Sequence, residues 1–322
     1  MVIVRPRTES PAQARVVEEV LAWGSERPIP PSGLVERLLD RLSDAVDEWV
    51  SVQEQQSTRA LRPLLITKTR LTRLACDGLQ RDPEPYVHTW ANVRGTLVHA
   101  AIEADLDGGR IRPTGTVVDA AWKRLATERS GDPSSLAGWL NARDADEREA
   151  LQLESSTLLA GFREVWPALS DAPLRVRTEQ RLVTMLGGRT IRMQGVPDII
   201  VDSPVVDGRA RKLLVDLKTG MPRGQHDRDE LRFYALLATL ATGVPPFRWA
   251  TLYVTEGRIE FEDLSEANLS AAALRVADAI RQATRLARHA IGDDSSRERI
   301  TGGTWCRGCR RRSACESALS HR

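Results

Sequence analysis

The sequence predicts an α/β fold: a mixed sheet core flanked by helices, with a helical N-terminal part. Three observations predict it. Apolar residues recur at helical spacing through much of the first 170 residues. From residue 174 the pattern changes to alternating runs rich in β-branched residues. Beyond residue 226, helix-period and strand-period segments take turns.

The elements follow in order. Residues 11–24 carry Ala, Val and Leu at helical spacing, and Pro28-Ile-Pro-Pro31 breaks the run. Residues 33–55 resume it, with Leu34, Leu38, Leu42, Val46 and Val50 at steps of four. Such a stripe either packs on the rest of the chain or serves a partner. Residues 88–107 predict a helix carrying His99 and ended by Gly108-Gly109. Residues 113–169 predict further helices, broken near Gly131-Asp-Pro133 and at Pro167. Leu174–Met185 and Thr190–Val201 predict two strands joined across Gly187-Gly188. Lys212–Leu217 predicts a third strand after Asp207-Gly208, and residues 227–241 a helix. Trp249–Val254 and Arg258–Phe261 predict two more strands across Glu256-Gly257. Residues 266–291 predict a long helix with Leu269, Val276, Ile280 and Leu286 inward. The organisation expected is a helical extension over 1–63 and a main domain over 64–322, with a helical insertion at about 110–170.

Composition narrows the function classes. The chain has 322 residues, 41% hydrophobic and 28% charged, with 46 basic and 44 acidic residues and a net charge of +2. A bulk field for polyanions is therefore absent, and contact with nucleic acid falls to local arginine clusters. No run approaches the ~18 apolar residues of a membrane span. The first residues, Met1-Val-Ile-Val-Arg-Pro-Arg7, lack the apolar core and cleavage site of a signal peptide. The four cysteines cluster unlike a secreted disulfide framework, so a reducing cytoplasm is expected. A phosphate-binding loop of the Gly-x4-Gly-Lys-Ser/Thr kind does not occur, which excludes a fused helicase.

The chemistry concentrates at Asp198 and at Asp216-Leu-Lys218. Asp216 and Lys218 lie two apart on one strand, so their side chains share a face. Asp198 lies on the preceding strand, and the short connection makes the two strands antiparallel neighbours. Two convergent carboxylates suit a hard divalent ion such as Mg²⁺ or Mn²⁺. Such an ion polarises a phosphoryl oxygen and acidifies water, and a nearby Lys steadies developing negative charge. Charges in a buried strand are costly unless paired or metal-bound, which gives the pattern weight. The bland alternative is an Asp–Lys ion pair on an exposed strand.

Gly195-Val-Pro-Asp198, then Asp216-Leu-Lys218-Thr-Gly, then Glu230-x-x-x-Tyr234 resembles the RecB-type branch of the PD-(D/E)XK nucleases. Gly95-Thr-Leu-Val-His99-Ala-Ala-Ile-Glu103 is similar to that family's first motif, a helix whose His joins the metal site. The resemblance implies a restriction-endonuclease-like fold and a metal-dependent deoxyribonuclease. It implies that His99, Asp198 and Asp216 hold Mg²⁺ or Mn²⁺ with the Leu217 carbonyl, and that Lys218 positions the attacking water. It assigns Tyr234 and Glu230 to substrate binding, although the family normally has Gln where Glu230 stands. A Glu near phosphate repels it unless it meets a metal or an Arg. Glu103, one turn beyond His99, and Glu179 on the first predicted strand are weaker candidates. Gly95 permits close approach of a neighbouring element.

Cys306-x-x-Cys309-x5-Cys315 supplies three thiols, and Cys76 stands far upstream. Cys-x-x-Cys alone fits zinc, redox chemistry or chance, and zinc ribbons normally carry two such knuckles. The one-plus-three arrangement resembles the iron–sulfur staple of AddB-type and CRISPR-associated exonucleases of the same branch. That resemblance implies a [4Fe–4S] cluster on Cys76, Cys306, Cys309 and Cys315, with Zn²⁺ as the alternative. Arg307, Arg310, Arg311 and Arg312 crowd the motif, either to meet DNA phosphates or as a solvated tail. The activity expected is end-dependent exonuclease cleavage of single-stranded DNA, alone or beside a separate helicase or an adaptation or defence complex. The rivals are a non-catalytic DNA-binding or scaffolding subunit and a zinc-dependent binding module.

Overall fold

Five strands form the main sheet, in the order β2 (Arg175–Thr178), β5 (Ile199–Asp202), β6 (Leu213–Lys218), β7 (Arg248–Tyr253) and β8 (Arg258–Asp263). The computed structural model describes residues 5–55, 63–81, 83–127, 132, 134–170, 172–203, 208–290 and 299–319. Strand β6 is central, antiparallel to β5 and parallel to β7, and it is buried along nearly its whole length. A parallel pair needs a crossover, and α9 (Gln225–Thr242) supplies it. A second sheet of three strands holds β1 (Leu64–Ile66), β4 (Ile191–Gly195) and β3 (Leu182–Leu186).

The two long strands expected over 174–185 and 190–201 are each broken, and this corrects the sequence reading. The first breaks at Glu179, whose φ of 48° lies in the left-handed region and cannot continue the pleat. The second breaks at Val196-Pro197-Asp198, where proline removes a ladder donor. The chain therefore crosses between the two sheets twice. The crossings are tied together, since the Glu179 N–H donates to the Asp198 carbonyl at 3.1 Å. The Gly187-Gly188 turn stands as expected, with both glycines at positive φ and Leu186 opposite Ile191. Strand β1 was not foreseen; it pairs in parallel with β4.

Alternation on the main sheet sends residues to two cores. Ile199, Val201, Leu213, Val215 and Leu217 meet α5 (Trp90–Asp107), α6 (Thr114–Thr127) and α8 (Ala145–Val165) on one face. The helices expected as an insertion thus cover that face, burying Trp122, Leu140, Phe162 and Trp166. Ile200, Leu214 and Trp249 face α9, α2 (Leu34–Gln55) and α10 (Glu266–Ala290) on the other. The stripe Leu34, Leu38, Leu42 and Val46 of α2 is spent in this core. Val16, Val17 and Val20 join the first core from a π-helical turn after α1 (Pro11–Arg15). Of the residues expected to break the helical region, Gly131 and Pro133 lie outside those described, as does Asp207 of the later turn.

The tail returns to the region just before α5. Short helices α3 (Lys68–Arg73) and α4 (Asp77–Arg81) receive it. Asp77, 1% exposed, accepts hydrogen bonds from Gln282, Arg285 and the Arg299 N–H. Thr301 Oγ1 donates to the Ala75 carbonyl at 2.7 Å, and Pro83 pairs with Cys309 in an isolated bridge. Two 3₁₀ turns, Thr304–Gly308 and Arg310–Ala314, and α11 (Glu316–Leu319) complete the described tail. No helix among the described residues is long and apolar enough to cross a membrane.

Candidate active site

The candidate site forms where the chain crosses between the sheets, at the ends of β5 and β6. Ile199 pairs with Val215, and extending that register sets Asp198 opposite Asp216. Helix α5 closes the site from the side of the first core. Its Thr89 cap donates nothing to catalysis but fixes the helix start through a capping box with Asn92. Gly95 lets α5 come in close: a Cβ there would stand 2.8 Å from Thr219 Oγ1, just beyond β6. His99 lies one turn further on.

Asp198 is held on both oxygens. The Leu217 N–H donates to Oδ2 at 2.5 Å, and His99 Nδ1 lies 3.1 Å from Oδ1. A carboxylate only accepts, so Nδ1 carries the proton, and in the neutral ring Nε2 keeps its lone pair. Burial works to raise the Asp198 pKa, but His99 and the Leu217 N–H outweigh it and hold the carboxyl below its ordinary range. Burial likewise works to lower His99, and Asp198, Asp216 and Glu179 together push it above the ordinary imidazole value.

Glu179 completes the group. Ligand atoms of His99, Glu179 and Asp198 lie within 4.8 Å of one another. Burial and the neighbouring Asp198 push the Glu179 carboxyl up to about 7. Asp216, 2% exposed, faces the same cleft, with Lys218 Nζ 2.7 Å from Oδ2 and Lys68 Nζ 3.7 Å from Oδ1. The Lys218 contact is an ion pair on Oδ2. Burial, then repulsion from Asp198, raises the Asp216 pKa. A buried carboxylate that repels its neighbour beside a three-atom ligand group is the setting a divalent cation relieves. The donors are one imidazole and carboxylates, which suit Mg²⁺ or Mn²⁺.

Two lysines and one glutamate form the opposite wall. Glu230 Oε2 lies 2.6 Å from Lys218 Nζ and 3.7 Å from Lys68 Nζ. His226 and Arg223 approach the same carboxylate at 3.2 and 3.5 Å. Burial opposes ionisation of Glu230, but these cations hold its pKa well below the carboxylate range. Burial also disfavours the Lys218 ammonium, yet Asp216 and Glu230 keep its pKa above the ordinary lysine value. Lys218 is thus a fixed cation. Tyr234 is 2% exposed, and Lys68 Nζ sits 5.3 Å from its ring centroid. The Tyr234 ring packs on Gly195, where a Cβ would approach to 2.5 Å.

The structure brings His99, Asp198, Asp216, Leu217 and Lys218 to one cleft of ≈ 720 Å³ and adds Glu179 and Lys68. Leu217 meets Asp198 through its N–H. Glu103 is turned to Arg124 Nη2 at 2.7 Å and stands outside the ligand group. Lys68 was not singled out in the sequence; it lies in the Thr67–Leu74 segment, which resembles the family's lead-in to the first cysteine, and follows the Thr67 cap. The four thiols are all free and line a separate cavity of ≈ 190 Å³ with Leu79, Ile300 and Trp305. Arg307, Arg310, Arg311 and Arg312 are exposed around it.

No curated protein matches the chain in sequence. A solved structure titled "Crystal structure of SSO0001" is similar at 16% identity and a TM-score of 0.28, over 72% of this chain and 82% of its own. The sequence model of the PD-(D/E)XK nuclease superfamily matches residues 70–316, a span that includes the His99 helix, the carboxylates, Lys218 and all four cysteines. The chain belongs to the PD-(D/E)XK nuclease superfamily.

Proposed function

We propose that the protein is a metal-dependent DNA exonuclease that hydrolyses phosphodiesters from free, single-stranded ends. The observation that carries this reading is the convergence of His99, Glu179 and Asp198 beside Asp216 and Lys218 in one open cleft. His99 through Nε2, Asp198, Asp216 and Glu179 would hold Mg²⁺ or Mn²⁺. When bound, the ion acidifies water and offsets charge on the phosphoryl oxygens. Asp198 holds the proton on Nδ1, so Nε2 is the nitrogen that would ligate the ion once it gives up its own proton. Lys218, a fixed ammonium, orients the attacking water by donating to it and offsets charge growing on the phosphate. Glu230 and Asp216 hold that ammonium in place. Tyr234 is buried, so its part in substrate binding runs through Lys68, whose ammonium it supports.

The cysteines are proposed to hold a [4Fe–4S] cluster. All four thiols line one cavity, so a single centre can draw on Cys76 and the tail together. A brown protein with stoichiometric iron and sulfide supports this, and a colourless zinc protein overturns it.

The enzymatic reading is tested with end-labelled linear and circular single-stranded DNA in Mn²⁺. Wild type is expected to shorten linear strands and spare circles, and Lys218→Ala to lose about 10²–10⁴ in rate. Equal cutting by Lys218→Ala removes the catalytic assignment. Cut circles remove the exonuclease. The Glu230–Lys218 ion pair is also what a silenced scaffolding subunit would carry, and a wild type that cuts neither form selects that rival.

A further inference from the structure

The catalytic cleft does not stop at Lys218. Arg223, on the loop before α9, lines it on one side and a second cleft of ≈ 650 Å³ on the other. This second cleft runs between α3–α4 and the cysteine tail. Arg73 of α3 forms one wall, and Trp305 and Arg307 of the tail form the other.

Its chemistry is specific. Arg73 and Arg307 are exposed and, among the described residues, paired with no carboxylate. The acids on the wall are Glu84 and Glu230, and Glu230 is already engaged by Lys218 and His226. Trp305 separates the two cavities, lining both the cysteine cavity and this cleft. Its ring is fixed from behind: the indole N–H donates to the Thr301 carbonyl at 3.2 Å, and the ring lies against Gly303 so closely that a Cβ there would come within 2.5 Å of it. A fixed indole and two guanidinium groups paired with no carboxylate, lining one cleft, are the combination that holds an unpaired nucleic-acid strand. Bases stack on the aromatic face whatever their sequence, and the cations track the phosphates. The volume suits a nucleotide-sized ligand, since pockets of roughly 300–1,000 Å³ take small molecules and not a duplex. Tyr86 and Met221, 71% and 84% exposed, stand at the catalytic end as further surfaces for bases.

We infer that the cleft beside the cysteine tail is a binding track for an unpaired nucleic-acid strand, with Trp305 as its stacking platform and Arg73 and Arg307 as its phosphate contacts. The strand reaches it from the catalytic cleft past Arg223. The inference rests on the nuclease reading for the strand's origin, and its test is made on binding alone.

Fluorescein-labelled oligothymidylates of increasing length are titrated onto the full chain carrying Lys218→Ala, and anisotropy is read across a salt series. Adding Trp305→Ala is expected to weaken binding about tenfold, within the range known for stacking on one aromatic. Trp305→Phe restores most of it. Arg73→Ala and Arg307→Ala are each expected to lower the slope of log affinity on log salt by about 0.7, the value for one phosphate contact on a single strand. Oligomers too short to leave the catalytic cleft are expected to show neither effect. Should Trp305→Ala lose its far-UV spectrum, the two exposed arginines decide. Unchanged affinity and unchanged slopes in Arg73→Ala and Arg307→Ala overturn the track. A wild type that cuts DNA while these variants bind normally loses the track and keeps the nuclease. A wild type that never cuts, with binding lost in the variants, keeps the track and loses the nuclease.

Discussion

At the scale of single residues, Glu230 departs furthest from what its motif implies. Its carboxylate neutralises two lysines at once, Lys218 at 2.6 Å and Lys68 at 3.7 Å. Its folded pKa is depressed, so its ion pairs stabilise the protein fully above the ordinary carboxylate range and less as pH falls through and below it. Glu230→Gln is therefore expected to cost about 2 kcal/mol at pH 7, less than the ~3–5 kcal/mol of breaking a fully buried pair because the amide still accepts a hydrogen bond. The gap to wild type should narrow toward pH 3. Urea melts of metal-free protein at both pH values measure it, and a gap that widens in acid contradicts the assignment. Gly195 is the second test at this scale. Gly195→Ala drives a methyl into the Tyr234 ring and is expected to cost about 1–3 kcal/mol in thermal unfolding. The sequence made Asp198, Asp216, Lys218 and His99 legible because their spacing carries chemistry. Lys68 was not legible, since a lone lysine at a helix start looks solvated until the fold sets it over Tyr234. Glu179 was visible only as a weak candidate, because its role depends on the left-handed turn that ends β2.

At the scale of elements, the order of helices and strands was legible and the partition into two sheets was not. Alternation persists through residues 174–186 and 190–202, so periodicity alone reads each stretch as one strand. Pairing is non-local, and only the partners show that β3 and β4 form one sheet while β2 and β5 join another. Pro197 was the local clue to the break in the second stretch. The three residues of β1 are too few to register a period. The docking of the tail rests on an element-level device that no motif announced. Asp77, at the first position of α4, collects donors from α10 and from Arg299. Asp77→Ala leaves Arg285 without that buried partner and frees the backbone at Arg299. The expected cost is about 3–5 kcal/mol, with faster tryptic cutting at the exposed Arg307 and Arg310. If proteolysis and stability match wild type, Asp77 does not anchor the tail.

At the scale of the whole molecule, the cysteines enclose the fold. Between Cys76 and Cys306 lie α5 through α10, every strand except β1 and most of both cores. A centre that binds Cys76 together with the tail closes a loop of 230 residues (306 − 76) in the unfolded chain as well as in the folded one. Closing a loop costs the unfolded state entropy that grows only slowly with length. By the disulfide scale, ~4.7 kcal/mol for 100 residues, the constraint here is worth about 5 kcal/mol as an upper bound. That gain belongs to the entire enclosed domain and not to the tail alone. Cys76→Ser, which removes the remote thiol of the proposed cluster, is therefore expected to lose the visible chromophore and to lower the global urea midpoint of the sheet domain. Native far-UV ellipticity should remain in dilute buffer, because the Asp77 contacts and the Pro83–Cys309 bridge still dock the tail. Cys315→Ser keeps Cys76 together with two tail thiols and should move the midpoint less. A global midpoint unchanged in Cys76→Ser would mean that no centre links that residue to the tail.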